Sequence, residues 1–517
     1  MTIAGLNLQL ERLPAPLPMW RARVDADQWR VTAREVAQAG GRLVSLWGCD
    51  RSSGAGTALA MCAAYALEDG LVWLDLALGE GQRVYPDLAS VFPFAGRMQR
   101  AAADLLGVQA EGTQDRRPWL NHGAWPEGDL PLRRHAAAAP FMNPRPVQDY
   151  DFVRVEGDGV HEIAVGPVHA GTIEPGHFRF SVVGEKVLRL EQRLGYAHKG
   201  IEQRFTQLAP LQAHRLAGRV SGDSTVAFAW AYCMALESAA GCAVPERGQW
   251  LRAVLLERER VANHLNDLGF LGNDAALAFG LAQFSRLRED WLRLSREAFG
   301  HRLTMDCVVP GGVTADLDGP MRRRLQRQCD AIEGEVRTLE GIYESHAGLQ
   351  DRFATTGTVA PALAVQLGLT GLAARASGQR ADLRRDQAWP PYDGLDVQPA
   401  SHESGDVAAR VAVRFQETFE SLRLLRELCT GLPDGDLRVS VELPRQAAVG
   451  AGWVEGWRGE VLVALELDGD GSIRRCHCHD PSWQNWPVLE HAVIGNIVPD
   501  FPLINKSFNL SYSGHDL

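Results

Sequence analysis

Residues 219–237 read RVSGDSTVAFAWAYCMALE, a short polar loop that runs directly into an apolar, helix-like stretch, and residues 480–485 read DPSWQN. Ser221 and Ser224 stand three apart in the first segment, and Ser482 and Asn485 three apart in the second. Serine and asparagine stay neutral at physiological pH, whereas a soft transition metal is held by thiolate sulfur. The side chains at these two loops decide which chemistry the chain can carry.

The 517 residues are enough for two or three domains, and 45% hydrophobic with 23% charged residues is ordinary for a globular protein with a sizeable core. With 53 basic against 64 acidic residues the net charge is -11, which argues against nucleic acid and against direct docking on anionic lipid. Nine cysteines are too few and scattered for a disulfide framework, and the start MTIAGLNLQLERLP lacks a basic end followed by an apolar run. A cytoplasmic chain with reduced thiols is expected. No stretch approaches the roughly 18 to 20 apolar residues that span a bilayer, so a membrane link would come through partners.

Short β-rich runs open the chain: RLVSLWGC at 42–49, the turn DRSSGAG, then ALAMCAAYAL and GLVWLDLAL. They predict a small, antiparallel sheet with a few helices. Gly54 and Gly56 lack the third glycine of a dinucleotide loop and lead into another strand-like run, so a hairpin turn is the better reading. The alanine- and proline-rich segment RHAAAAPFMNPRPVQD reads as an extended linker. The expected division is a domain over 1–130, a linker over 131–150 and a second domain over 151–517. The second begins with strand-like FVRVEGDGVHEIAVG and HFRFSVVGEKVLRLEQRLG, then turns helical after about residue 200. Segment 246–268 aligns Leu251, Val254, Val261, Leu265 and Leu268 on one stripe, and 406–429 aligns Val411, Phe415, Phe419 and Leu422. Asp406 is the expected N-cap of the latter, with Gly431 and Pro433 its stop.

Several clusters could carry chemistry. His169 and His177 lie in the Gly/Pro-rich segment GPVHAGTIEPGHFRF, where an imidazole can serve proton transfer or bond a carbonyl, although loop histidines are usually surface residues. Glu257, Arg260, His264 and Asp267 recur at spacings of three and four on one polar helix face, ordinarily a solvated one, and Asp274 lies just past the expected helix end. A carboxylate near a loop histidine would orient the ring and favour its charged form. In LGYAHKGIEQR, the residues Tyr196, His198, Lys199, Glu202 and Arg204 form either a solvated surface or an interdomain clamp. Strand alternation in CHCHD, 476–480, sends the cysteines to one face and the histidines to the other, so four ligands would not converge. There is no CxxC pair, and no iron-sulfur cluster of the chain's own is expected.

RVSGDS resembles the RVCGxC corner of nickel-iron hydrogenase large subunits, and DPSWQN resembles their DPCxxC corner near the C-terminus, with all four thiolates replaced. From about residue 151 onward the chain resembles the 49-kilodalton subunit of respiratory complex I and the large subunits of energy-converting hydrogenases such as formate hydrogenlyase. GPVH with PGHFRF, GYAHKGIE, ERERVANHL with Asp274, PGGV at 310–313, GDVAAR at 405–410 and EGWRGE at 455–460 carry that likeness. RVYPDLASVFPFAGRMQRAAADLLGV with PWLNHGAWPEGDLPLRR is similar to the 30-kilodalton subunit of complex I, and the ending NIVPDFPLINKSFNLSYSGHDL looks like the hydrogenlyase branch.

The resemblance implies an α+β fold: a small N-terminal α/β sheet domain, then a large, mainly helical domain with peripheral β-strands. It implies a metal-free cavity that receives a quinone headgroup, with His177 at the headgroup and Asp274 as its carboxylate partner. Leu216 stands where the family's tyrosine would complete that site, and a leucine cannot donate to a carbonyl. Ser221, Asp223 or Ser224 could supply a donor instead, and His169 and Ser482 complete the expected substrate-binding set. No cofactor or metal would be bound by this chain. The expected partners are an iron-sulfur small subunit and integral membrane subunits, on the cytoplasmic face of the inner membrane, with NAD bound elsewhere in the complex if anywhere. A different expectation is a non-catalytic structural subunit, its pocket filled by Trp230, Phe228 and Leu216. A working hydrogenase is disfavoured.

Overall fold

The computed structural model describes residues 6–52, 58–123, 125, 128–134, 150–169 and 173–517. The tip of the expected hairpin turn and most of the expected linker lie outside the described residues.

The N-terminal sheet comprises β1 (Glu11–Arg12), β2 (Met19–Val24), β3 (Arg42–Asp50), β4 (Leu59–Leu67) and β5 (Gly70–Leu78), in the order β1-β2-β5-β4-β3. The last three strands form the antiparallel meander that their turns predict. β2 departs from that expectation by pairing parallel to β5, with Met19 opposite Leu71. Helix α1 (Ala26–Gln38) makes this possible by carrying the chain from β2 across to the far edge. Asp25 starts that helix, accepting from the backbone of Asp27 and Gln28 while the Gln28 side chain bonds back. Alternate residues of the sheet serve two cores. Val44, Trp47, Cys62, Ala64 and Trp73 join the core of the large domain, whereas Leu43, Leu46, Met61, Ala63 and Tyr65 pack with α1 and α2 (Ala95–Leu106). A sheet buried on both faces reads as continuous apolar runs, as these strands do.

In the second part, β6 (Val160–Val165), β7 (His177–Val183) and β8 (Lys186–Arg193) form one antiparallel sheet, and β9 (Ala448–Glu455), β10 (Glu460–Leu467) and β11 (Ile473–His479) another. Helix α3 (Thr225–Ala240) lies on β9, at a distance set by Gly450 and Gly452, where any Cβ would strike the Ala235 and Ala231 carbonyls. Around it stand α4 (Glu246–Asp274), α5 (Ala278–Phe299), α6 (Gly319–Ser345) and α7 (Val407–Gly431). α7 begins as predicted, with the Asp406 carboxylate accepting from Ala409 N at 2.9 Å. α4 runs past its expected end to Asp274 because Gly269 and Gly272 are packing positions, pressed against Phe284 and Tyr343, not stops. Tyr343 Oη donates to Leu268 O at 2.8 Å there. Shorter helices α8 (Ser482–Ala492), α9 (Phe501–Phe508) and α10 (Tyr512–Asp516) close the chain. The architecture is α+β, a small sheet domain before a mostly helical domain with peripheral strands.

A candidate site at the serine corner

The loop before α3 places Ser221 and Ser224 in a buried corner, 3% exposed each. The residue opposite is Ser511: the Ser221 and Ser511 hydroxyl oxygens lie 2.9 Å apart, and Ser221 Oγ also donates to Asp223 Oδ1 at 2.7 Å. Ser511 in turn accepts from Gly514 N at 2.9 Å, and its own N–H donates to Ser482 Oγ at 2.9 Å. Two pairs of small residues at a spacing of three, Ser221 with Ser224 and Ser511 with Gly514, therefore meet. DPSWQN supplies only one side of this contact. Ser482 reaches it, but Asn485 turns away, its amide bonding the Thr370 backbone on both its oxygen and nitrogen at 3.1 Å.

The turn between β9 and β10 brings in Arg458. Its guanidinium holds both oxygens of Asp223, reaches Ser224 Oγ at 3.3 Å and donates to Asn509 O at 2.6 Å. Trp457, stacked 4.0 Å from that guanidinium, donates to Asp223 O at 2.8 Å. Behind the corner, Glu259 accepts from Val226 N and Ala227 N at the start of α3, and burial pushes its carboxyl up to about 8. It borders a cavity of about 120 Å³ shared with Asn263, Arg288 and Thr304.

The expected histidine site is arranged differently. His177 is the first residue of β7, its Nδ1 bonded to Gly166 O at 3.1 Å and its Nε2 accepting from Arg179 at 3.3 Å. Burial lowers its pKa, against the Gly166 carbonyl, and the Arg179 charge lowers it further. The ring is therefore neutral, with Nε2 an acceptor. Asp274 ends α4 beside Asn273, its carboxyl raised by burial and steadied by Lys506. No hydrogen bond among the described residues joins His177 to Asp274. His169 bonds Gly176 O through Nε2 at 3.0 Å. This histidine face touches the corner through Tyr512, packed on Gly176, and through Ser513, bonded to Glu174 at 3.3 Å. Leu216 is half-buried against the main core.

Residues 22–141 match the family described as respiratory-chain NADH dehydrogenase, 30 Kd subunit, and residues 274–452 match its 49 Kd subunit. The chain is 31% identical over 442 residues to formate hydrogenlyase subunit 5 of Escherichia coli (strain K12), covering 84% of this chain and 77% of that protein. It is 33% identical to the carbon monoxide-induced hydrogenase of Rhodospirillum rubrum over 68% of this chain and 97% of the relative. The chain belongs to the complex I 49-kilodalton and hydrogenase large-subunit family. It is also 28% identical to the C/D subunit of NADH-quinone oxidoreductase from Bacteroides thetaiotaomicron, over 76% of this chain and 77% of that one. A chain of the membrane-bound sulfane sulfur reductase, an archaeal respiratory membrane complex, shares the fold with a TM-score of 0.65 at 24% identity, covering 69% of this chain and 99% of that one. The N-terminal sheet and large domain thus form the kind of large subunit found in complex I-related oxidoreductases and hydrogenases. No helix among the described residues is long and apolar enough to cross a membrane.

Within this family frame, Ser511 and Gly514 are the residues that sequence reasoning missed. NLSYSG lacks the Asp-Pro pair that drew attention to DPSWQN, yet it repeats the small-residue spacing of three seen in RVSGDS. The helix face of Glu257, Arg260, His264 and Asp267 is not solvated. All four are 0% exposed, paired with residues of α7, β9 and the 375–384 segment. Glu202 is a clamp, bonding Arg475 and His477, while Lys199 and Arg204 of the same segment are exposed. In CHCHD the faces separate as alternation requires: His477 meets Ser45 and Glu202, and Cys476 and Cys478 are buried in the core beyond.

Proposed function

We propose that this chain is a metal-free large subunit of a membrane-associated, complex I-related oxidoreductase, passing electrons from a partner's iron-sulfur cluster to a quinone-like acceptor. The observation that carries the metal-free reading is the corner itself. Its side chains offer hydroxyls in place of thiolates, Gly514 offers none, and Arg458 already engages Ser224 and Asp223. That donor set does not fit nickel and iron, which call for anionic sulfur. Because Ser221, Ser511 and Ser482 bond one another, the acceptor would meet the adjoining face of His169, His177 and Ser513, not the corner. Relatives whose names include hydrogenlyase, hydrogenase and NADH-quinone oxidoreductase support redox work. The fold shared with a chain of a respiratory membrane complex supports a peripheral place beside membrane subunits; the iron-sulfur partner and the cytoplasmic face belong to the proposal.

A second reading, a non-catalytic subunit that holds a small partner against the membrane arm, is favoured by the closed corner and by His177. With its one N–H on Nδ1 and given to Gly166 O, a neutral His177 has no second proton to give an acceptor's carbonyl. The seal is made by Ser511 and Arg458, not by Trp230 and Phe228, which belong to the main core. Quinone-dependent turnover of the purified complex, together with metal analysis, separates the readings. The redox reading expects His177→Ala to lower turnover at least about tenfold, the loss of one positioned proton-handling group. Unchanged turnover, or none in the parent complex, leaves the structural reading, and bound nickel in the purified complex would refute the metal-free one.

A further inference from the structure

Between α4, α7, β3, β9, β10 and the segment 375–384, charged side chains gather with almost no water. The carboxylates are Glu257, Asp382, Glu417, Glu455 and Glu460, each at most 2% exposed, and the cations are Arg260, Arg375, Arg384 and Arg42. With the buried Asp267–Arg414 pair between the same two helices, six acids thus face five guanidiniums. His264, which bonds Glu417 at 2.8 Å, is kept neutral by burial, and Tyr392 donates to Glu257 at 2.6 Å as a neutral phenol. An uncompensated charge in such a medium is expensive, and a carboxyl avoids it by keeping its proton.

Partner accounting singles out one acid. Glu257 receives Arg384 Nη1 on both of its oxygens, at 3.0 and 3.1 Å, plus Tyr392 and Ser421. Glu460 is gripped at both oxygens by Arg42 and bonded by Trp453 at 2.8 Å. Glu417 has Arg375 at 2.7 Å and His264, and Asp382 has two bonds from Arg384. Glu455 has only Arg375 Nη1 at 2.9 Å, on a guanidinium shared with Glu417, and a long bond from Leu383 N at 3.3 Å. The groups facing it are Arg375, Asp382, Arg260 and Arg42.

We infer that Glu455 is a proton-storing site, holding the one proton that the buried charges around it require. Release breaks the Glu455 O–H bond and leaves a carboxylate against Arg375; uptake reverses it, and no electron moves. Burial, with the Asp382 charge adding to it against Arg375, sets the exchange at about 7. The site is wired toward the serine corner: Arg375 joins Glu455 to Glu417 and His264, whose ring stands edge-on to Trp457 at 6.1 Å. A charge arriving near Asp223 would change this proton's affinity through that chain. The use of the proton in electron transfer rests on the function proposed above, but its presence does not.

The test is an infrared titration of the purified full chain, following the carbonyl stretch of protonated carboxyls between roughly pH 6 and 8. A band is expected that vanishes with a midpoint near 7 and is missing from Glu455→Gln. Glu259→Gln should remove a different band. Asp382→Asn keeps Glu455 but balances the charges, so the Glu455 band should already be gone at neutral pH. That variant decides the matter if Glu455→Gln fails to fold. A parent spectrum without such a band, its survival in Glu455→Gln, or an unmoved midpoint in Asp382→Asn would overturn the inference.

Discussion

Replacing Glu202 by glutamine tests how the two halves of the molecule are joined. Glu202 is 5% exposed and accepts from Arg475 Nη2 at 3.0 Å and His477 Nδ1 at 2.7 Å, while His477 Nε2 bonds Ser45 Oγ of β3 at 2.7 Å. Burial alone would raise its carboxyl, but Arg475 and then His477 outweigh it and hold the carboxyl at about 2. Burial keeps His477 neutral, so Arg475 is the charge partner. Against an ordinary glutamate, at about 1.4 kcal/mol per pKa unit, the depression contributes about 3 kcal/mol at neutral pH. Because the folded pKa is the lower one, this stability is present above about pH 4.5 and is lost as pH falls toward 2. Glutamine also strands the Arg475 charge in the interior, so about 3 to 5 kcal/mol is expected in all. With unfolding entropy scaling at roughly 2 cal/mol/K per residue, a chain this long converts that to about 3 to 5 °C in Tm. Thermal melts of parent and Glu202→Gln at pH 7 and at acid pH should show that gap and its closing below about pH 4. Equal melting temperatures at pH 7, or a gap that persists undiminished at acid pH, would refute the clamp.

Glu259 has its carboxyl raised, so the parent should lose stability as pH rises through its range up to about 8, and Glu259→Gln should gain about 3 kcal/mol relative to the parent between pH 5 and 8 in denaturant titrations. Gly514→Ala would push a methyl into the Asp480 carboxyl and the Ser511 hydroxyl, costing about 1 to 3 kcal/mol, whereas Gly222→Ala, with open space around it, should be mild in the same melts. Ser511→Ala removes hydrogen bonds to Ser221 and Gly514 and should cost about 1 to 2 kcal/mol by the same measurement.

Much of the fold was legible because local pattern and tertiary role agree. The meander of β3 to β5 follows from apolar runs divided by turn residues, and α7 from its Asp406 cap. The parallel pairing of β2 was hidden, since nothing in MWRARV distinguishes its neighbours. The glycines of α4 look like stops until Tyr343 is seen against them. Charge was the least legible feature. Glu257, Arg260, His264 and Asp267 form a stripe that looks solvated on one helix, and only the arrival of Arg375, Arg384 and Arg414 from distant segments shows why it is buried. The corner was half read: RVSGDS was found, but its partner Ser511 lies in a segment whose small residues carry little signal by themselves.

The contact of Ser511 with Ser221 also makes the corner a latch. Trp486 Nε1 donates to Ser511 O at 3.2 Å, and the ring of Trp483 stacks on His515 at 4.0 Å. Ser221 and Ser482 are buried and each is bonded to Ser511, and lifting segment 509–515 away from them strips two indoles of their neighbours. Opening of the corner therefore carries its own optical signal, in the fluorescence of tryptophans that stand outside the corner.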